Sequence, residues 1–266
     1  MDYFARVRQL MKYDIGSILK DWNFNPDEFL ARRIKSHDGS EKIQIRIDMG
    51  ILQLEITGRP DGKRLFDRTS LLEYYLTKIK SEKEKQFSFT EDECEDLFQE
   101  AWQFYHRYLS LFYLEEYQGV IKDTEHALKI FDLIDEHAPN DDVRWYFEQY
   151  YPHAIMMQTR ARAMLSLEIE DYPKALQSVT EGIENIETFL EEWDGDVEEE
   201  LPELAFLREW YSELEQERPL TRREQLDRAL SDAVENENFE EAARLRDKIQ
   251  TLWPGPKHLF RPPDRQ

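Results

Sequence analysis

A single cysteine, Cys94, is all the thiol chemistry in this chain of 266 residues. That excludes an intrachain disulfide, a CxxC redox pair and a thiolate zinc site, each of which needs at least two thiols. Long apolar runs are also missing. No uncharged stretch approaches the ~20 residues that span a bilayer, and MDYFARVRQLMKYDIGSILK holds no apolar core of the signal-peptide kind. Positive charge is scarce: 35 Lys and Arg face 57 Asp and Glu, and the formal charge of -22 repels phosphate backbones. These absences predict a cytoplasmic protein with no membrane contact, for which direct nucleic-acid binding is disfavoured. Catalytic signatures are absent too. The six histidines form neither HExxH nor ExxH, and there is no GxSxG elbow and no GxxxxGK[ST] phosphate loop. No catalytic residue, cofactor or metal is therefore expected, although a site built from scattered residues leaves no such trace.

The length suggests two units, with room for an appendage. Five of the nine glycines fall in the first 65 residues, which also hold the clearest two-residue alternation. In KIQIRIDMGILQLEIT, Ile43, Ile45 and Ile47 alternate with polar residues, as do Leu52, Leu54 and Ile56, so a hairpin with one apolar face is expected. Asp38-Gly39 marks a second tight turn and makes FLARRIKS a third antiparallel strand. A helix after Asp2 and another opening at Ser70, where Glu73 completes a capping box, would cover the sheet. This α+β unit with its three-stranded meander spans residues 1–85, ending in the charged run KSEKEK.

From there the pattern is helical. Thr90 and Glu93 form a capping box ahead of an aromatic-rich helix, and further segments are expected at about 118–137, 142–168, 172–193 and 201–215. Tyr117, Ala127 and Phe131 recur as Tyr172, Gly182 and Ile186, displaced by 55 residues. A small residue that admits a neighbouring helix beside a large one that fills the gap is tetratricopeptide packing logic, so residues 86–216 read as a repeat-like helical array, with an irregular bundle as the alternative. The fold class expected is α+β, mainly α: a small N-terminal antiparallel meander, this array and a C-terminal helical hairpin.

The hairpin covers residues 221–252. Thr221 and Glu224 form a third capping box, and the helices divide at Glu237-Asn238. Leu226, Leu230 and Val234 share one face, while Ala242, Leu245, Ile249 and Leu252 form a three-four-three seam with Phe239 at its start. Ala242 and Ala243 permit close approach, Glu240 and Arg244 pair at i, i+4, and Arg246 and Asp247 flank the seam. About thirty residues with one apolar stripe fall below the ~40 at which a domain usually stands alone, so the hairpin needs a surface to lie against. That surface is a protein partner, a second copy, or the preceding helices of the same chain.

FEEAARLRDKI resembles the UVR motif of the excinuclease subunits UvrB and UvrC. Phe239, Glu240, Ala242, Ala243, Arg246, Asp247 and Ile249 fit its pattern, with Leu226 and Leu230 fitting the preceding helix. The resemblance implies a bacterial protein whose hairpin is an interaction element, a type that also occurs in regulators and chaperone subunits of Clp proteolysis. Together with KIQIRIDMGILQLEITGRPDG it is similar to uncharacterised bacterial UVR-motif proteins. The expected function is a non-enzymatic adaptor or regulator, and the alternative is an accessory factor of nucleotide excision repair contacting excinuclease subunits or DNA. Partner-binding residues are expected to be Leu230, Phe239, Glu240, Ala243, Arg244, Leu245, Arg246, Asp247 and Ile249.

Other candidates have plainer readings. GRPDG would project Arg59 and Asp61 from the hairpin exit as a ligand loop, but proline, aspartate and glycine are what a turn needs anyway. Trp102, Tyr105, Tyr108 and Phe112 could line a peptide groove with Arg107 anchoring a carboxylate, or simply pack a core. Met156, Met157 and Met164 suit either an adaptable surface or an irregular interior. The tail 253–266, proline-rich and basic, is expected to be extended.

Overall fold

The computed structural model describes residues 14–81, 87–192 and 201–252, and its contacts divide the chain into two compact units that part after Leu214. The architecture is α+β and mainly α, with a three-stranded antiparallel sheet near the N-terminus and a helical pair near the C-terminus. The helix expected after Asp2 and the tail 253–266 lie outside the described residues.

After a short α1 (Gly16–Leu19), the sheet runs in the order β1 (Ala31–Lys35), β2 (Glu41–Ile47), β3 (Gly50–Glu55). Its register sets Ile43 opposite Leu54 and Ile45 opposite Leu52, so the alternating residues share one buried face. The chain reverses between β2 and β3 at Asp48 and Met49, one residue earlier than the alternation suggests, and Arg46 donates to the carbonyls of Ile47, Asp48 and Gly50 around that turn. The opposite face is covered as well. Gln44 is buried there, accepting from Arg32 and donating to Gln53, and the Arg32 guanidinium lies 4.0 Å from the Trp22 ring.

Helix α2 (Leu71–Ser81) does not cover the apolar sheet face. Ile43, Ile45 and Leu54 pack with Tyr108 and Leu111 of α3 (Glu91–Tyr113) and Val120 of α4 (Tyr117–His137), while Leu71, Leu72 and Tyr75 join Leu97, Ile130 and Ile134 in a second cluster. The aromatic helix covers the sheet instead, setting Tyr108 and Leu111 against the isoleucines and taking their apolar surface out of water. At α2 the capping box is half made: Glu73 N donates to Ser70 Oγ, but the Glu73 carboxylate accepts from Thr69. The boxes at Thr90 and Thr221 are complete.

The segment expected as one helix over 142–168 is two, α5 (Asp141–Glu148) and α6 (Tyr151–Leu167). Pro152 is the cause, since it lacks an N–H and its ring clashes with the preceding turn, which confines it to the first turn of a new helix. Helix α6 is buried on most sides against α4 and α7 (Tyr172–Glu192). Met156 and Met157 are therefore interior filler, and Arg160 is half-buried with its guanidinium 4.3 Å from the Phe112 ring and 4.9 Å from that of Phe206 on α8 (Pro202–Glu217). At Gly182 of α7 an added Cβ would clash with the Thr159 side chain, so glycine is what admits α6 at that crossing.

The second unit contains α9 (Arg222–Glu235) and α10 (Phe239–Leu252), packed together as an antiparallel pair. Among the described residues one loop serves three times. The links α3–α4, α6–α7 and α9–α10 each pass through a left-handed glutamate: Glu115 (φ 60°), Glu170 (φ 58°) and Glu237 (φ 55°). In each the next residue donates its N–H five residues back, Glu116 to Leu111, Asp171 to Ser166 and Asn238 to Ala233, and the glutamate donates three residues back. These are the paired bonds of a Schellman stop, which satisfy carbonyls the helix end leaves open. An aromatic residue then opens the following helix every time: Tyr117, Tyr172, Phe239.

Candidate partner-docking site

The entry to α9 is pinned by charge. Arg218 donates from both terminal nitrogens to the two oxygens of Glu224, at 2.8 and 2.7 Å, while Glu224 also accepts from Thr221 N. Those bonds, Arg218 first, hold the Glu224 carboxyl down at about 2. At the other turn Asn238 Oδ1 accepts from Glu241 N, capping α10.

Between these ends the two helices cover each other only in part. Leu226, Leu230, Ala243, Leu245 and Ile249 are half-buried, and Ala242 alone is fully buried among residues 221–252. Val234, Leu252 and above all Phe239, 68% exposed, leave apolar surface open. The position of Phe239 is informative. Tyr117, opening α4 after the same loop, is 6% exposed and packs on Phe112 with ring centroids 5.5 Å apart, and Tyr172 is half-buried. Three residues on, Val120, Ala175 and Ala242 are all buried. The third hairpin thus repeats the local geometry of the first two and leaves its aromatic uncovered.

The charged candidates are exposed and locally paired. Arg244 donates to Glu240 at 2.9 Å, and Arg246 donates to Asp247 at 3.0 Å, so a partner would have to compete with a neighbouring side chain for each. Such surface pairs are weak and readily exchanged.

The turn at 58–62 does not project Arg59. Its side chain is 4% exposed and turned inward, donating to Asp61 and, at 2.8 Å, to Glu100. Glu100 is fully buried and accepts four times, from Arg59, from the N–H groups of Leu71 and Leu72 that open α2, and from His126. Beside it Arg107 binds Asp123 twice at 2.7 Å and the carbonyls of Glu55 and Gly58. Both oxygens of Glu100 are doubly occupied, so it ties the sheet exit to α2, α3 and α4 and has no lone pair left for a ligand. Arg107 is thereby spent as an internal clamp and offers no carboxylate anchor. Neither Glu100, His126 nor Asp123 was expected. Glu100 and Arg107 do stand on the α3 stripe of Leu97, Phe104 and Leu111, and charge on an otherwise apolar stripe is the signal that marks them. Among the described residues no three His, Cys, Asp or Glu side chains converge as a metal site.

Residues 221–252 match the family model described as the UvrB/uvrC motif, an interaction module, over the whole hairpin. No curated protein and no solved structure matches the chain.

Proposed function

We propose that this protein, carrying a UvrB/UvrC-type hairpin on a larger helical body, is a non-enzymatic adaptor or regulator that docks a protein partner or a second copy through residues 221–252. The observation that carries the reading is the open Phe239: a ring placed by the same loop that places Tyr117, on a hairpin with little core of its own, yet 68% exposed. Leu230, Ala243, Leu245 and Ile249 form the seam beneath it, and Glu240, Arg244, Arg246 and Asp247 orient the partner by exchanging their local bonds. Burial of an aromatic anchor at the centre of a contact is where association free energy concentrates.

The domain reading that accompanies this has the sheet and its helices over 1–85, a tetratricopeptide-like array over 86–216 and a bacterial, cytoplasmic setting. Support for the array comes from the two helical pairs α3–α4 and α6–α7, closed by one loop type 55 residues apart. The matched family makes excision repair the second reading, in which the partner is an excinuclease subunit or DNA. The test is affinity capture with the full chain and with Phe239→Ala. The substitution should weaken association by about 3 kcal/mol, roughly a hundredfold in Kd, if the ring is fully desolvated in the contact. Undiminished capture by the variant would refute the docking role, and capture of DNA that fades steeply with salt would favour the second reading.

A further inference from the structure

The first unit carries a different surface, built on α3. Phe98, Trp102 and Tyr105 stand at i, i+4 and i+7, with ring centroids 6.4 and 4.8 Å apart and planes within 17° and 9° of parallel. Facing them are Tyr146 and Tyr150, 4.8 and 5.5 Å from the Phe98 ring. Two adjoining cavities of about 440 and 280 Å³ run between these walls and share Phe98, Trp102 and Tyr150. Trp102 and Tyr146 are 43% and 44% exposed, so large rings are held at the surface by rigid helices and left without cover.

The formal charge around the groove has one sign, and the basic side chain that lines it, His153, has its Nδ1 3.8 Å from a Glu203 oxygen. Glu95 and Asp96 line one end and Glu203 the other, and no lysine or arginine lines either cavity. Arg107, the cation this helix could have offered, is turned away to Asp123. From Asp96 to Tyr108 the helix rises about 18 Å, which matches five or six residues of extended peptide.

We propose that this groove binds an extended segment of a protein partner in which lysine or arginine side chains alternate with apolar ones. The apolar residues lie along the rings, and the cations seat over Trp102 and the tyrosines and against the terminal carboxylates, an arrangement in which ring quadrupole and acid attract the same charge. The net negative charge of the chain steers such a segment toward the surface. This site is independent of the hairpin.

The test uses the full chain with residues 221–266 unaltered and a labelled hexapeptide alternating lysine and leucine, titrated by fluorescence polarisation. The control peptide has glutamate for lysine. The basic peptide should bind and the acidic one should not. Trp102→Ala, an exposed position whose loss leaves the core intact, should weaken binding about tenfold. Glu203→Gln with Glu95→Gln should weaken it further. Binding that survives Trp102→Ala unchanged would show attraction by net charge alone and overturn the proposal, as would equal binding of the acidic peptide. A dimer in sedimentation that Trp102→Ala dissociates, with no peptide binding, would give the groove to a second copy and overturn it equally.

Discussion

Glu100 shows how much one buried carboxylate can organise. It takes its charge out of water beside Arg59, and its four hydrogen bonds replace the lost hydration. Burial alone pushes its carboxyl up, but the bonds from His126, Leu71 and Leu72 outweigh that and hold it below the usual value of 4.5. A carboxylate with a depressed folded pKa contributes stability that is present above its unfolded pKa and lost as pH falls through the folded one. Urea unfolding from pH 6 downward should therefore show a loss beginning near 4.5 and continuing below it. Glu100→Gln should cost about 3–5 kcal/mol at neutral pH, because it removes the buried one of the two carboxylates that Arg59 binds, leaving Asp61 alone, and should flatten that acid dependence. A variant as stable as the parent would show that the cluster is not ionised. Phe239 is the opposite case at the same scale. Its ring contributes little to the isolated chain, and its effect should appear in association.

Among the elements, the αα loops stand out for using glutamate where glycine is the easy choice. A side chain in the left-handed region costs about 1 kcal/mol, and glycine is free of that cost but orders a floppier unfolded chain. Replacing Glu115, Glu170 or Glu237 with glycine should leave the loop unchanged and stabilise its hairpin by about 0.5–1 kcal/mol, read from chemical unfolding of each single variant. Destabilisation would mean that the glutamate side chain makes a contact the loop depends on. These elements also show where a sequence can be read. Capping boxes at Thr90 and Thr221 involve residues three apart, and both formed as the residue types require. The helix break at Pro152 is equally local, although the apolar density on both sides of it reads as one continuous helix. The choice of cover for the sheet was not local. It depended on which helix, α2 or α3, packs on Ile43 and Ile45, and the one that does is the more distant in sequence.

For the whole molecule, charge and core are unequally shared. Residues 217–266 carry ten basic and ten acidic side chains, so the excess of negative charge belongs to the rest of the chain. Among the described residues, both hydrophobic clusters consist of residues up to Leu214. A chain ending at residue 216 should therefore unfold cooperatively, within a few degrees of the full protein by calorimetry, while losing partner capture. A marked drop in Tm would mean that the hairpin is part of the body's stability and that its open edge is a self-contact.

The residues by themselves determined the elements and their joints: alternation set the strands, i, i+3 and i, i+4 spacing set the helices, and capping boxes and a recognisable Phe-Glu-x-Ala-Ala seam set the hairpin. Those features arise from neighbours within a turn or two, where geometry follows directly from residue type. Only the tertiary structure decided that Arg59 and Arg107 face inward, that Trp102 faces out and that the ring at 239 is left bare where the one at 117 is covered. Each of those outcomes depends on which distant segment excludes water from the side chain, and nothing in the side chain's own vicinity encodes that.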